Sequence, residues 1–178
     1  LTVVIENVHD PHNVSAIFRT ADSVGIDKIY LIYTEEKFPK ISVVSSASAK
    51  KWIDVEKYDN VKECFEKLKQ LKYNIISTHI NETGKNYSLY DFDLTKKTAI
   101  VFGNEHRGVS DEVKNLSDKN MLIPMKGMVQ SLNVSVSAAV CLYEALRQRE
   151  EKGLYAKSAY SKLELNEKLN YYIKKATK

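Results

Sequence analysis

Three polar stretches hold the residues whose types and spacing can do chemistry. The first is Asn7-Val-His-Asp-Pro-His-Asn13-Val-Ser-Ala-Ile-Phe-Arg19-Thr-Ala-Asp22. Asn13 stands at a helix start, where its amide can cap the backbone or aim at a ligand. Arg19 follows six positions on, in otherwise apolar company. A buried arginine without an anion is costly. Arg19 therefore points either to a salt bridge with a carboxylate such as Asp22 or to a phosphate gripped by both arms of its guanidinium. The second stretch, Val101-Phe-Gly-Asn-Glu-His-Arg-Gly108, puts Gly103 directly after an apolar run. The missing Cβ there lets backbone approach a ligand closely. The third is Ile123-Pro-Met-Lys-Gly-Met-Val-Gln-Ser-Leu-Asn133-Val-Ser135. Asn133 can cap the helix that follows, and Ser131, Leu132 and Asn133 can line the mixed apolar and polar pocket a small ligand needs.

Other chemistries lack their residues. There is no G-x-G-x-x-G and no phosphate loop of the G-x-x-x-x-G-K-[ST] form. His9, His12, His79 and His106 lack metal-ligand spacing, and no nucleophile elbow supports a Ser-His-Asp assembly. No metal site is expected. Cys64 and Cys141 are not in C-x-x-C spacing and read as buried bystander thiols, which suits a reducing cytoplasm.

The elements that must position these residues alternate. Apolar runs predict strands over 2–6, 28–33, 74–78, 98–102 and 120–123. Helical periodicity appears over 13–24 (Val14, Ile17, Phe18, Ala21, Val24), 60–71, 109–116 and 134–152. Residues 80–96 read as a surface loop. Alternation of this kind implies a mostly parallel sheet with helices on both faces. In such sheets ligands bind beyond the carboxyl ends of the strands, which is where the polar stretches fall. Domain organisation follows: one domain over 1–152, then a basic helical extension over 153–178 that hinges at Gly153. The extension's apolar residues are Leu163, Leu165, Leu169, Tyr172 and Ile173.

The chain has 178 residues and a formal charge of +4. Residues 147–178 carry nine Lys or Arg and four Asp or Glu, a net of +5, so the rest is close to neutral. A basic tail on a neutral body suits contact with a polyanion, or simply a solvated lysine-rich helix. No apolar run is long enough to span a bilayer, and no charged-then-apolar leader is present. Leu1 in first place is expected to mark a trimmed piece of a longer protein.

Taken together, Asp10-Pro-His-Asn-Val-Ser-Ala-Ile-Phe-Arg-Thr-Ala-Asp22, Phe102-Gly-Asn-Glu-His-Arg-Gly108 and Ile123-Pro-Met-Lys-Gly-Met-Val-Gln-Ser-Leu-Asn-Val-Ser135 resemble the SPOUT class of RNA 2′-O-ribose methyltransferases, TrmH type. The likeness runs from Thr2 to about Tyr155. It implies a sheet whose C-terminal part is threaded into a deep trefoil knot, and a homodimer whose active sites lie at the interface. It implies S-adenosylmethionine as cofactor, held by Thr78, His79, Phe102, Gly103, Ile123, Met125, Ser131 and Leu132. The run from Gly127 through Arg149 is similar to the type that methylates the D-loop guanosine at tRNA position 18.

The resemblance also implies roles. A ribose 2′-oxygen would attack the sulfonium methyl in line, with Arg19 on the substrate phosphate and Asn13 and Asn133 orienting the centre. Ser131 would contact cofactor or substrate. Glu105 would fix its loop or Arg19 rather than act as base. Arg147, Arg149, Lys152, Lys157 and Lys162 become candidate contacts to tRNA. Ribosomal RNA, the tRNA anticodon loop, and a non-catalytic RNA-binding dimer are the competing assignments.

Overall fold

The computed structural model describes residues 1–39, 49–81, 84–158 and 160–177. Five strands fall close to the apolar runs: β1 (Thr2–Glu6), β2 (Lys28–Ile32), β4 (Asn74–Thr78), β6 (Thr98–Phe102) and β7 (Lys119–Leu122). Two further strands carry no such run. β3 (Asp54–Tyr58) is an edge strand with only partly covered side chains, and β5 (Tyr87–Ser88) is two residues inside the expected 80–96 loop, followed by a turn of 3₁₀ helix over Leu89–Asp91. The seven form one sheet in the order β3-β2-β1-β6-β4-β7-β5. Every pairing is parallel.

Parallel strands covered on both faces are apolar on both sides, and β1 shows it. Val3 and Ile5 join one core with α1 (Pro11–Ser23) and α5 (Val134–Glu151), while Val4 joins the other with α3 (Val61–Gln70) and α4 (Asp111–Leu116). α1 buries Val14, Ile17, Phe18 and Ala21, and α5 buries Ala138, Cys141, Leu142 and Ala145. The alanines let the two helices lie close. Burial pushes the thiols of Cys64 and Cys141 up to about 12. Among the described residues no helix is long and apolar enough to cross a membrane.

Helix ends follow local chemistry. Asn60 caps α3 by accepting from the Glu63 N–H at 2.8 Å, and Ser110 caps α4 by accepting from Val113 at 3.2 Å. α1 starts two residues earlier than the apolar pattern suggests, at Pro11. Its cap is Asp10, which accepts from the His12 N–H at 2.8 Å. Asn13 is thereby freed from capping.

Beyond a left-handed Gly153 (φ +66°), the chain turns back into α6 (Lys162–Ala176), which packs on α2 (Ala49–Trp52) and on the amino ends of β2 and β3. The side that docks is polar. Lys168 pairs with Asp27 at 2.6 Å, Lys175 with Asp54 at 3.2 Å, and the Tyr171 hydroxyl donates to Asp54 at 2.7 Å. Tyr172 meets Trp52 edge to face. Leu163, Leu165, Leu169 and Ile173, the expected apolar stripe, are exposed instead. Only Tyr172 of that set turns inward, because charged and phenolic groups find Asp27 and Asp54 at the sheet's end.

Candidate active site

The carboxyl ends of β4, β6 and β7 open into one cavity of about 490 Å³, within the range of small-ligand pockets. Thr78 and His79 come from the end of β4, Phe102 and Gly103 from β6, Ile123 and Met125 from the segment after β7, and Ser131 and Leu132 from the loop entering α5. All eight residues expected around the cofactor thus line the same space. Glu105 and Asn133 line it too.

The floor depends on Gly103. A Cβ there would lie 2.3 Å from the backbone of Gly108 and Val109, because the chain doubles back through paired hydrogen bonds of 2.9 Å between Asn104 and Gly108. Gly108 closes that turn at φ +68°.

Glu105 is the hub beside the cavity. Its carboxylate accepts from the backbone N–H of His9 at 3.0 Å and Asp10 at 3.1 Å, and from the Asn13 side-chain amide at 2.9 Å. Burial opposes its charge, but the three donors outweigh it and hold the carboxyl below its ordinary value. A carboxylate so engaged is a poor base. Asn13 is turned away from the backbone and toward this hub. Its Oδ1 accepts from the Asn133 amide at 3.1 Å and from the Ser135 hydroxyl at 3.3 Å. Asn133 also caps α5, accepting from the Ser135 N–H at 2.8 Å. Capping and the site are therefore one arrangement, not alternatives.

Two buried asparagines that the sequence did not single out tie this hub to the sheet. Asn104 donates to the Asn7 carbonyl at 2.8 Å. Asn7, left-handed at φ +49°, accepts on Oδ1 from the N–H groups of Thr34, Glu35 and Glu36. Their signal was positional, since each directly follows a strand end or its glycine. Glu6, also missed, is 1 % exposed. One of its oxygens accepts from the Ser110 N–H at 2.8 Å while the other has no partner among the described residues. Burial pushes its carboxyl up.

Arg19 stands apart from the cavity. It lies about 9 Å beyond Asn13 along α1 and roughly two-thirds of a turn around it, and it is exposed. The expected burial cost does not arise, and no carboxylate among the described residues pairs with it, Asp22 included. Glu105 holds Asn13 and the loop after β1, not Arg19. His79 is kept on the neutral side by burial and by Lys114, and its Nδ1 lies 3.2 Å from the Ser77 hydroxyl.

The basic residues at the end of α5 sit about 21 Å or more along the helix from Asn133. Arg149 donates to the carbonyls of Leu94 at 2.9 Å and Lys96 at 2.7 Å, which gives it a structural task rather than a free charge. Arg147 is shared between Glu144 at 2.8 Å and Glu151 at 2.6 Å. Lys152 reaches the Thr95 hydroxyl at 3.0 Å. Lys157 and Lys162 are exposed.

Residues 1–143 match the SpoU rRNA Methylase family. A tRNA (guanosine(18)-2′-O)-methyltransferase of Aquifex aeolicus is 42 % identical over 165 residues, covering 93 % of this chain and 77 % of that protein. The crystal structure of the A. aeolicus TrmH/SpoU tRNA modifying enzyme superposes with a TM-score of 0.88 at 40 % identity, over 96 % of this chain and 86 % of the other. The SpoU methyltransferase AviRb of Streptomyces viridochromogenes, solved with the cofactor AdoMet, gives a TM-score of 0.76 at 27 % identity over 85 % of this chain and 61 % of its own. With a parallel sheet, one cavity at its carboxyl end and a family match across most of its length, this chain belongs to the SpoU methylase family.

Proposed function

We propose that this protein transfers a methyl group from S-adenosylmethionine to a ribose 2′-hydroxyl of tRNA, at the D-loop guanosine of position 18. The observation that carries the reading is the convergence of all eight expected cofactor residues, with Glu105 and Asn133, on one cavity. The A. aeolicus relative supports the choice of tRNA and of the guanosine. A tRNA substrate supports a cytoplasmic location.

The cavity fits the cofactor. Ile123, Met125 and Leu132 give it apolar walls, Gly103 lets the doubled-back loop close against its own strand end, and Thr78, His79 and Ser131 supply polar edges. When bound, S-adenosylmethionine supplies a methyl group on a sulfonium centre. Glu105, Asn13 and Asn133 form a rigid hydrogen-bonded chain at the rim, and rigid placement is what a displacement reaction needs most. Asn13 and Asn133 orient the ribose there, while Ser131 touches cofactor or substrate. Arg19 binds the substrate phosphate and stabilises the developing alkoxide electrostatically. Arginine does not deprotonate in proteins, so it is not the base.

Because Arg19 lies outside its own chain's cavity, its role needs a second copy. The exposed Val136 and Tyr143 on α5, beside α1 through the Ser23–Tyr143 contact, support a homodimer in which Arg19 serves the partner's site. Membership of the family over residues 1–143 supports the trefoil knot of the class. Lys157 and Lys162, with Arg147 exchanged from its carboxylates, receive tRNA phosphates on the extension over 153–178.

Unmodified tRNA transcripts, labelled S-adenosylmethionine and mapping of the product test the reading. A single 2′-O-methylguanosine in the D-loop is expected. Arg19→Ala should lower turnover by about 100-fold or more with cofactor binding retained. Methylation at another nucleotide, or normal turnover in Arg19→Lys, overturns the assignment.

A further inference from the structure

Among the described residues, Arg107 is the one Lys or Arg that lines the cavity. It sits at the tip of the doubled-back loop, two residues past Glu105, where its backbone N–H is held by the Asn104 side-chain oxygen at 3.2 Å. Its guanidinium reaches across to the loop after β2. One nitrogen lies 2.8 Å from Glu35 and another 3.1 Å from Glu36. Those carboxylates are themselves fixed, since Asn7 ties down the N–H groups of Thr34, Glu35 and Glu36. Glu36 is shared with His9 at 3.4 Å.

Stability does not explain this pairing. The Arg107 and Glu35 side chains are 52 % and 58 % exposed, and an ion pair so open to water contributes little. Two oxygens offered to two guanidinium nitrogens is the pattern a phosphate presents. A ribose 2′-hydroxyl sits on the carbon next to the one that carries the 3′-phosphate. Any RNA that brings the hydroxyl to this cavity therefore brings a phosphodiester to its rim.

We propose that Arg107 is a phosphate-binding residue for the RNA substrate, kept in place by Glu35 and Glu36 until a backbone phosphate displaces them. The inference rests on the ribose-methylation reading above. Once displaced, the two carboxylates face the phosphate and oppose it. They weaken the binding of any polyanion that cannot seat a phosphate on Arg107, and so act as a filter on RNA shape.

The test uses the full chain, with tRNA affinity measured across salt concentrations, cofactor affinity measured separately, and KM and kcat followed for methyl transfer. Arg107→Ala should raise the KM for tRNA about ten-fold and reduce the salt slope of tRNA binding by about one, with cofactor affinity unchanged. Glu35→Gln with Glu36→Gln should do the opposite and tighten tRNA binding several-fold at low salt. A purely structural staple predicts that both changes weaken binding together and leave the salt slope alone, and that result overturns the proposal. Loss of cofactor affinity in Arg107→Ala also overturns it, by assigning Arg107 to the cofactor's carboxylate. If the unaltered protein binds tRNA but transfers no methyl group, the reaction assignment fails, while the salt slope of Arg107→Ala still decides the phosphate contact.

Discussion

The two ends of α5 are held by different physics. At its amino end, Asn133, Asn13, Ser135 and Glu105 form a chain of short-range hydrogen bonds that converge beside the cavity. At its carboxyl end, the exposed Arg147 is shared between Glu144 and Glu151, and the extension beyond docks through lysine–aspartate pairs. Hydrogen bonds among partly buried amides fix geometry to fractions of an ångström and resist salt. The exposed pairs of Arg147 contribute little and weaken with salt, while the half-buried Lys168–Asp27 and Lys175–Asp54 pairs are screened less. The cavity end of the helix is thus built for position, and on the proposed reading the tail end is built for exchange with tRNA phosphates.

The comparison breaks most readily at Gly103. Gly103→Ala places a methyl 2.3 Å from backbone that has nowhere to go. The expected result is loss of cofactor binding with about 3 kcal/mol or more of destabilisation, read by calorimetric titration and thermal unfolding. Retention of both would mean that the doubled-back loop is soft, and the contrast between the two ends would collapse.

A smaller effect sharpens the carboxyl end itself. Arg149→Ala strands the Leu94 carbonyl and leaves that of Lys96 to the Thr98 hydroxyl alone, and should destabilise by about 1–3 kcal/mol. Arg147→Ala, on the exposed side, should leave stability almost unchanged. Denaturant unfolding separates them, and equal losses would refute the division of labour between neighbouring arginines.

The smallest effect depends on pH. The folded state raises the Glu6 carboxyl above its ordinary value through burial. Its contribution is therefore intact at acidic pH, where both folded and unfolded chains are protonated, and is lost as pH rises through the folded value. Glu6→Gln, which resembles the protonated form, should leave stability unchanged below about pH 4. Near pH 7 it should add on the order of 1 kcal/mol. A loss at neutral pH would show that the charged form is favoured.

Much of this was legible in the sequence because parallel strands buried on both faces must be apolar throughout. β1, β4 and β6 have the bounds that their apolar runs imply. β3 escaped because an edge strand reading Asp54-Val-Glu-Lys-Tyr58 needs only partial cover, and β5 because two residues show no period. The cavity lining came from resemblance, which carries positions that periodicity cannot. What neither carried was direction. Whether Asn13 faces backbone or site was decided by Asp10 taking the cap one turn early. Arg19 seemed buried only because its neighbours in sequence are apolar, although a position two-thirds of a turn away faces solvent. The apolar stripe of α6 misled for a related reason, since the aspartates that its lysines meet lie more than a hundred residues away in the chain.

The span of α5 joins the two ends mechanically. Its carboxyl end grips the 92–96 turn, where Gln148 and Arg149 bond to Phe92, Leu94 and Lys96. That turn leads into β6, which runs back to Gly103. A push on the tail is therefore delivered to the cavity twice, through a helix on one wall and a strand on the other. Two stiff rods hinged at the same point move their far ends in step. On the proposed reading, tRNA bound at the tail would translate the whole pocket rather than pry it open, leaving the spacing of its walls a fixed property of the fold.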